Sequence, residues 1–183
     1  MSGSPLPTEF AWLAKEPGPR LLKEVLALYG VKEFKGPANN PIIMAWAENL
    51  GLTHKYKADV TPWCGLGMAY AAKRAGWEDQ IPKDPLWALN WAKFGEPAKP
   101  AMLGDILVFE RPGGGHVGVY VGHRPGFYWV AGFNQKDSCS IVSIEKKRLV
   151  AARQPRWRRF PPANRRSVLM LLKANGTISR NEV

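Results

Sequence analysis

The 183 residues are 45% hydrophobic and 11% aromatic, the composition of a folded globular chain rather than a disordered one. Two cysteines, Cys64 and Cys139, exclude a disulfide scaffold and read as a reduced pair, and three histidines (His54, His116, His123) leave few ligands for a metal site. The net charge of +11 is concentrated: residues 1–145 hold 15 Lys/Arg against 14 Asp/Glu, and residues 146–183 hold 11 against the single Glu182.

A near-neutral body therefore carries a basic end that attracts polyanions such as nucleic acid, anionic lipid or wall polymers. No run approaches the roughly 18 apolar residues of a membrane span. The first residues lack the basic start and apolar stretch of a signal peptide.

In chain order, residues 1–18 are rich in Pro, Gly and Ser and read as a flexible lead-in. "PRLLKEVLALYG" places Leu21, Leu22, Val25, Leu26 and Leu28 at helical spacing and stops at Gly30. "NPIIMAWAENLG" offers Asn40 as a cap, Pro41 as first helical residue and Gly51 as stop. "CGLGMAYAAKRAG" predicts a third helix, built of small residues and ending at Gly76, and "KDPLWALNWAKFG" a fourth, short one. The pattern then changes to "GDILVFE", "HVGVYVG", "FYWVAGF" and "CSIVSIE", short β-branched or aromatic runs bounded by turn residues, with "RLVAARQPRW" as a fifth strand. A last short helix is expected from about Asn164 to Asn175. Helices followed by consecutive strands predict an α+β domain with an antiparallel sheet.

Cys64 stands at the predicted start of the third helix, where unpartnered N–H groups and the helix dipole favour a thiolate. A lone cysteine in an apolar helix is also an ordinary core residue. Gly65 and Gly67 run against helix propensity, which points to close packing or access to the thiol. His116 opens a strand after "PGGG", with Val117, Val119 and Val121 alternating onto one face and Gly118 leaving room for a helix. It is the candidate base for the thiol proton, while His54 and His123 sit in turn-like surroundings. Antiparallel folding of the next strand brings residues 132–134 opposite residues 115–117. Asn134 is the polar candidate to orient the imidazole, with turn formation as its other reading and Gln135 and Asp137 as alternatives. Cys, then His about 50 residues on, then Asn is the order of papain-like cysteine hydrolases.

"PWCGLGMAYAAKRAG", "LGDILVFERPGGGHVGVYVG" and "AGFNQKDSCSIVSI" resemble the CHAP and NlpC/P60 superfamily of peptidoglycan hydrolases, and more narrowly a group of small phage and prophage proteins. The resemblance spans about residues 18–157. It implies a papain-like fold with N-terminal helices on the sheet and a hydrolase domain over residues 19–157. Residues 158–183 are then a basic extension with a short helix. It also implies cleavage of amide bonds in cell-wall peptides, with Cys64 as nucleophile, His116 as base and Asn134 as third residue. The backbone N–H of Cys64 would hold the oxyanion. Two positions depart from the pattern: Phe133 follows Gly132 where a second glycine is usual, and Cys139 replaces a polar or aliphatic residue.

No acidic calcium loop like that of some CHAP enzymes is present, so neither metal nor cofactor is expected. Tyr56, Asp59, Trp63 and Trp129 are candidates for lining the substrate groove. Arg156, Arg158, Arg159, Arg165 and Arg166 are candidates for holding anionic envelope polymers, a membrane surface or nothing specific. The function expected is that of an endolysin or virion-associated lysin. It would be made in the host cytoplasm and reach the wall or periplasm by holin-type release, virion delivery or a secretion apparatus. Two alternatives stay open: a catalytically degenerate papain-like module that binds polyanions, and an antibacterial amidase effector.

Overall fold

Apolar residues at helical spacing in the first half, and alternating ones in the second, settle into an α+β fold. The computed structural model describes residues 4–171. Helix α1 spans Arg20–Leu26 and α2 spans Pro41–Asn49. The start of α2 follows its sequence: Asn40 Oδ1 accepts from the Ile42 N–H at 2.8 Å, and Pro41 sits in the first turn, where its missing N–H leaves no partner wanting. Helix α3 spans Cys64–Arg74 and ends before Gly76, whose φ of 84° suits glycine.

Six strands follow: β1 (Glu96–Pro97), β2 (Ile106–Arg111), β3 (Gly114–Arg124), β4 (Phe127–Gly132), β5 (Ser140–Glu145) and β6 (Leu149–Gln154). They form one antiparallel sheet in the order β1-β6-β2-β3-β4-β5. The period of two divides its side chains. Val117, Val119, Val121 and Ala131 enter the main core with Leu22, Ile43, Trp46 and Leu66 from the helices. Leu107, Phe109, Tyr120, Val130 and Ile144 form a smaller core on the other face.

The small residues of α3 are explained by what they touch. A Cβ at Gly65 would lie 2.1 Å from the Pro85 carbonyl oxygen, and one at Gly67 would lie 2.3 Å from the Phe133 ring. Phe133 thus fills the space that Gly67 leaves, beside Trp46 and Trp63. Gly118 makes room for a strand rather than a helix: a Cβ there would meet Val130 and the Ala131 carbonyl of β4.

Three expectations change. The lead-in holds a 3₁₀ helix, Thr8–Lys15, whose Phe10 and Leu13 are buried and whose Phe10 ring meets Trp129 edge-on. The fourth helix contracts to a 3₁₀ segment, Ala88–Lys93. The last expected helix is absent from 164–171, where the chain is an extended strap; the rest of that prediction lies outside the described residues.

The strap has a physical reason. Arg165 makes a two-pronged ion pair with buried Asp105 (2.8 and 3.0 Å), and Arg166 pairs with Glu16. His123 N–H donates to the Val168 carbonyl and Met170 N–H to the His123 carbonyl, so the backbone spends its hydrogen bonds on β3 rather than on a helix. Among the described residues no helix is long and apolar enough to cross a membrane.

Candidate functional site

Cys64 is the first residue of α3, and Trp63 before it caps the helix with no side-chain hydrogen bond. The first-turn N–H groups therefore point at the thiol. The N–H groups of Cys64 and Gly65, that of Val117 on β3 and the charge of Arg111 all favour the thiolate, but burial outweighs them and pushes the thiol up. Cys64 thus needs a proton acceptor. The Val117 contact seats its sulfur beside the residue that follows His116.

His116 is fully buried. Its Nε2 lies 3.0 Å from Gln135 Oε1. The Gln135 amide nitrogen faces only oxygen acceptors: the Ser140 carbonyl at 2.6 Å, those of Gly132 and Val130 at 3.3 and 3.4 Å, and the Ser140 hydroxyl at 3.5 Å. Carbonyl oxygens cannot donate, so the NH₂ end must point at them and the oxygen end at the imidazole. The imidazole must then carry hydrogen on Nε2, which in the neutral ring leaves the lone pair on Nδ1. Nδ1 is thus the ring nitrogen able to accept a proton.

Asn134, the expected third residue, does not fill this role. It lies one residue beyond the strand in the left-handed conformation (φ 55°), and Lys136 and Asp137 share that conformation. The turn they build swings Gln135 inward, and Gln135 N–H donates to the Ser138 carbonyl to close it. A bulge in β3 between Tyr120 and Gly122 shifts the pairing by one, so that Gly132 faces Gly118 where an unbroken register would set it opposite Val119.

The four expected groove residues are buried and occupied elsewhere. Asp59 accepts from the Phe34 and Asn40 N–H groups and ties down the loop before α2. The Tyr56 hydroxyl donates to the Thr61 carbonyl, the Trp63 indole N–H donates to Glu33, and Trp129 packs on Phe10. None of them lines the cleft at Cys64.

That cleft, of about 390 Å³, lies between α3, the segment 84–88 and the β2–β3 turn. Its walls include Lys55, Pro62, Leu86, Trp87, Arg111 and Gly114. Leu86 and the half-exposed Trp87 supply an apolar rim. In sequence, Arg111 preceding "PGGGH" was the available pointer, since a charged residue ending a strand beside the candidate base shares its turn.

Of the five arginines expected to meet polyanions, Arg165 is committed to Asp105 and Arg166 to Glu16, because each neutralises a carboxylate that folding shields from water. Arg156, Arg158 and Arg159 are exposed, and Arg158 bonds Asp79 and lies over the Trp77 ring. Among the described residues no group of three His, Cys, Asp or Glu side chains is gathered that could hold a metal ion. Comparison of the chain with family models, with curated proteins and with solved structures finds no match.

Proposed function

We propose that this protein is a cysteine hydrolase of papain-like architecture that cleaves amide bonds, with peptides of the bacterial cell wall as substrate. The observation that supports the chemistry is the Gln135 amide, whose oxygen faces Nε2 of the buried His116 and so leaves Nδ1 as the proton-accepting nitrogen of the neutral ring, while the Cys64 thiol is held at the N–H of the next residue, Val117. The substrate class rests on the resemblance of the Pro-Trp-Cys and Gly-Gly-His-Val-Gly segments to peptidoglycan hydrolases.

In this reading His116 Nδ1 takes the proton of Cys64 as sulfur attacks the amide carbonyl. The oxyanion forms next to the α3 N-terminus, where the Cys64 N–H can stabilise it. The imidazolium, held by the Gln135 oxygen, returns the proton to the leaving amine, and a thioester remains. Water, deprotonated by His116, then cleaves the thioester to a carboxylic acid and restores the thiol.

The test is release of soluble peptides from purified sacculi by wild type, Cys64→Ala and Cys64→Ser. Wild type should release them and both variants should not. Full release by Cys64→Ala would refute the proposal, and mass spectrometry of the products identifies the bond. The exposed Arg156, Arg158 and Arg159 favour a second, compatible activity, salt-sensitive attachment to envelope polyanions. Substituting them should weaken sacculus binding while Cys64→Ala leaves it intact.

A further inference from the structure

The cleft at Cys64 contains an unbalanced positive charge. Two cations line it, Lys55 and Arg111, but only one acid, Asp84. Asp84 is taken by Lys55, at 3.7 Å. Among the described residues Arg111 pairs with no carboxylate: its Nε–H donates to the Gly115 carbonyl at 3.3 Å, which leaves the terminal nitrogens of the guanidinium for a ligand. The β2–β3 turn is built to keep this space clear. Gly113 has a φ of 79° and nothing within 4 Å of where a side chain would start, and Gly114 meets only the edge of the Trp87 ring.

We infer that Arg111 is the specificity-determining residue of the site and receives a free carboxylate that the substrate carries close to the scissile carbonyl, while Trp87 and Leu86 cover an apolar neighbour. A planar guanidinium matches a carboxylate with two parallel hydrogen bonds, a recognition that an amide or ester at the same position forfeits. The substrate is thereby narrowed to anionic peptides, and a peptide amidated at that position is disfavoured. The inference rests on the cysteine-hydrolase reading, since it places the carboxylate relative to the bond that Cys64 attacks.

The experiment needs no turnover. Cys64 is alkylated in parallel with iodoacetate and iodoacetamide, which deliver the same carbon with and without a carboxylate, and Cys64 modification is followed by peptide mass mapping. The ratio of the two rate constants cancels any change in the thiolate fraction and reports carboxylate recognition alone. In Arg111→Met the ratio should fall by about fivefold; Arg111→Lys, which keeps the charge but not the planar fork, should keep only part of it, and Lys55→Met, whose charge Asp84 already balances, should keep all of it.

An unchanged ratio in Arg111→Met overturns the inference. So does a loss confined to Lys55→Met, or a Cys64 inert to both reagents. Circular dichroism of each variant confirms the fold, and Arg111→Lys retains the charge should Arg111→Met disturb the hairpin. Failure of the hydrolase reading would appear separately, as sacculi left undigested by wild type while the alkylation ratio still depends on Arg111.

Discussion

Replacing Gln135 by Ala, and separately Asn134 by Gly, isolates the orientation of His116, the proposed base. Gln135 is fully buried, with its oxygen 3.0 Å from His116 Nε2 and its nitrogen 2.6 Å from the Ser140 carbonyl. Gln135→Ala leaves a buried imidazole N–H without this acceptor, a penalty of about 1–3 kcal/mol. The ring escapes the penalty by moving its proton to Nδ1, where it can no longer take the proton of Cys64. A tautomer bias of that size is a loss of about 5- to 150-fold in the base-competent form. The turnover number should fall by this factor with little change in KM.

Asn134→Gly retains the φ of 55° that the turn requires, because glycine adopts it freely, and leaves Gln135 in place. Its rate should stay within about twofold of wild type. Initial rates of peptide release from sacculi give the comparison. The rate of Cys64 alkylation by iodoacetamide at neutral pH gives it again without turnover. Thermal melts should show Gln135→Ala still folded. Full activity in Gln135→Ala together with an inactive, folded Asn134→Gly would refute the tautomer argument.

Gly67→Ala should destabilise the protein despite alanine's better helix propensity. The new methyl would stand 2.3 Å from a Phe133 ring hemmed in by Trp46 and Trp63. Overpacking costs about 1–3 kcal/mol against a gain of about 1; a melting temperature equal to or above wild type would contradict the packing account. Arg165→Met should be the most damaging change in the strap, since Asp105 is left buried without its counter-ion, at about 3–5 kcal/mol. Burial already raises the Asp105 pKa to about 6, with Arg165 opposing the rise. A carboxyl held above its unfolded value contributes stability below about pH 4 that is lost as pH rises through about 6. Without Arg165 that loss deepens, so the variant's deficit in chemical denaturation should be larger at pH 8 than at pH 5. An equal deficit at both would show that the pair is not electrostatic.

Local chemistry made most of the fold legible. Asn40-Pro41 announces the start of α2, because an amide oxygen followed by a residue with no N–H is what an α-helix start needs. The β-strands stand out because β-branched and aromatic residues alternate between glycine-bearing turns. The last segment was misread for a physical reason. "SVLMLLK" has the apolar content of a helix, but Arg165, two residues earlier, is worth more paired with the distant Asp105 than as a helix-starting residue. A contact 60 positions away leaves no mark in a local window.

The site shows the same boundary more sharply. The placement of Cys64 at a helix start and of His116 near a strand start was legible, because neighbouring glycines and prolines declare the geometry there. The third residue depends on which side chain of a tight turn points inward, and composition does not decide that. Three non-glycine residues with positive φ, Asn134, Lys136 and Asp137, turn the chain so that Gln135 points inward instead of Asn134. Gln135 also needs its extra methylene: its amide spans from the Ser140 carbonyl to the imidazole, and its nitrogen and oxygen are both used. The turn chemistry of "FNQKD" thus orients the His116 imidazole indirectly, with Asn134 bending the chain so that its neighbour makes the contact.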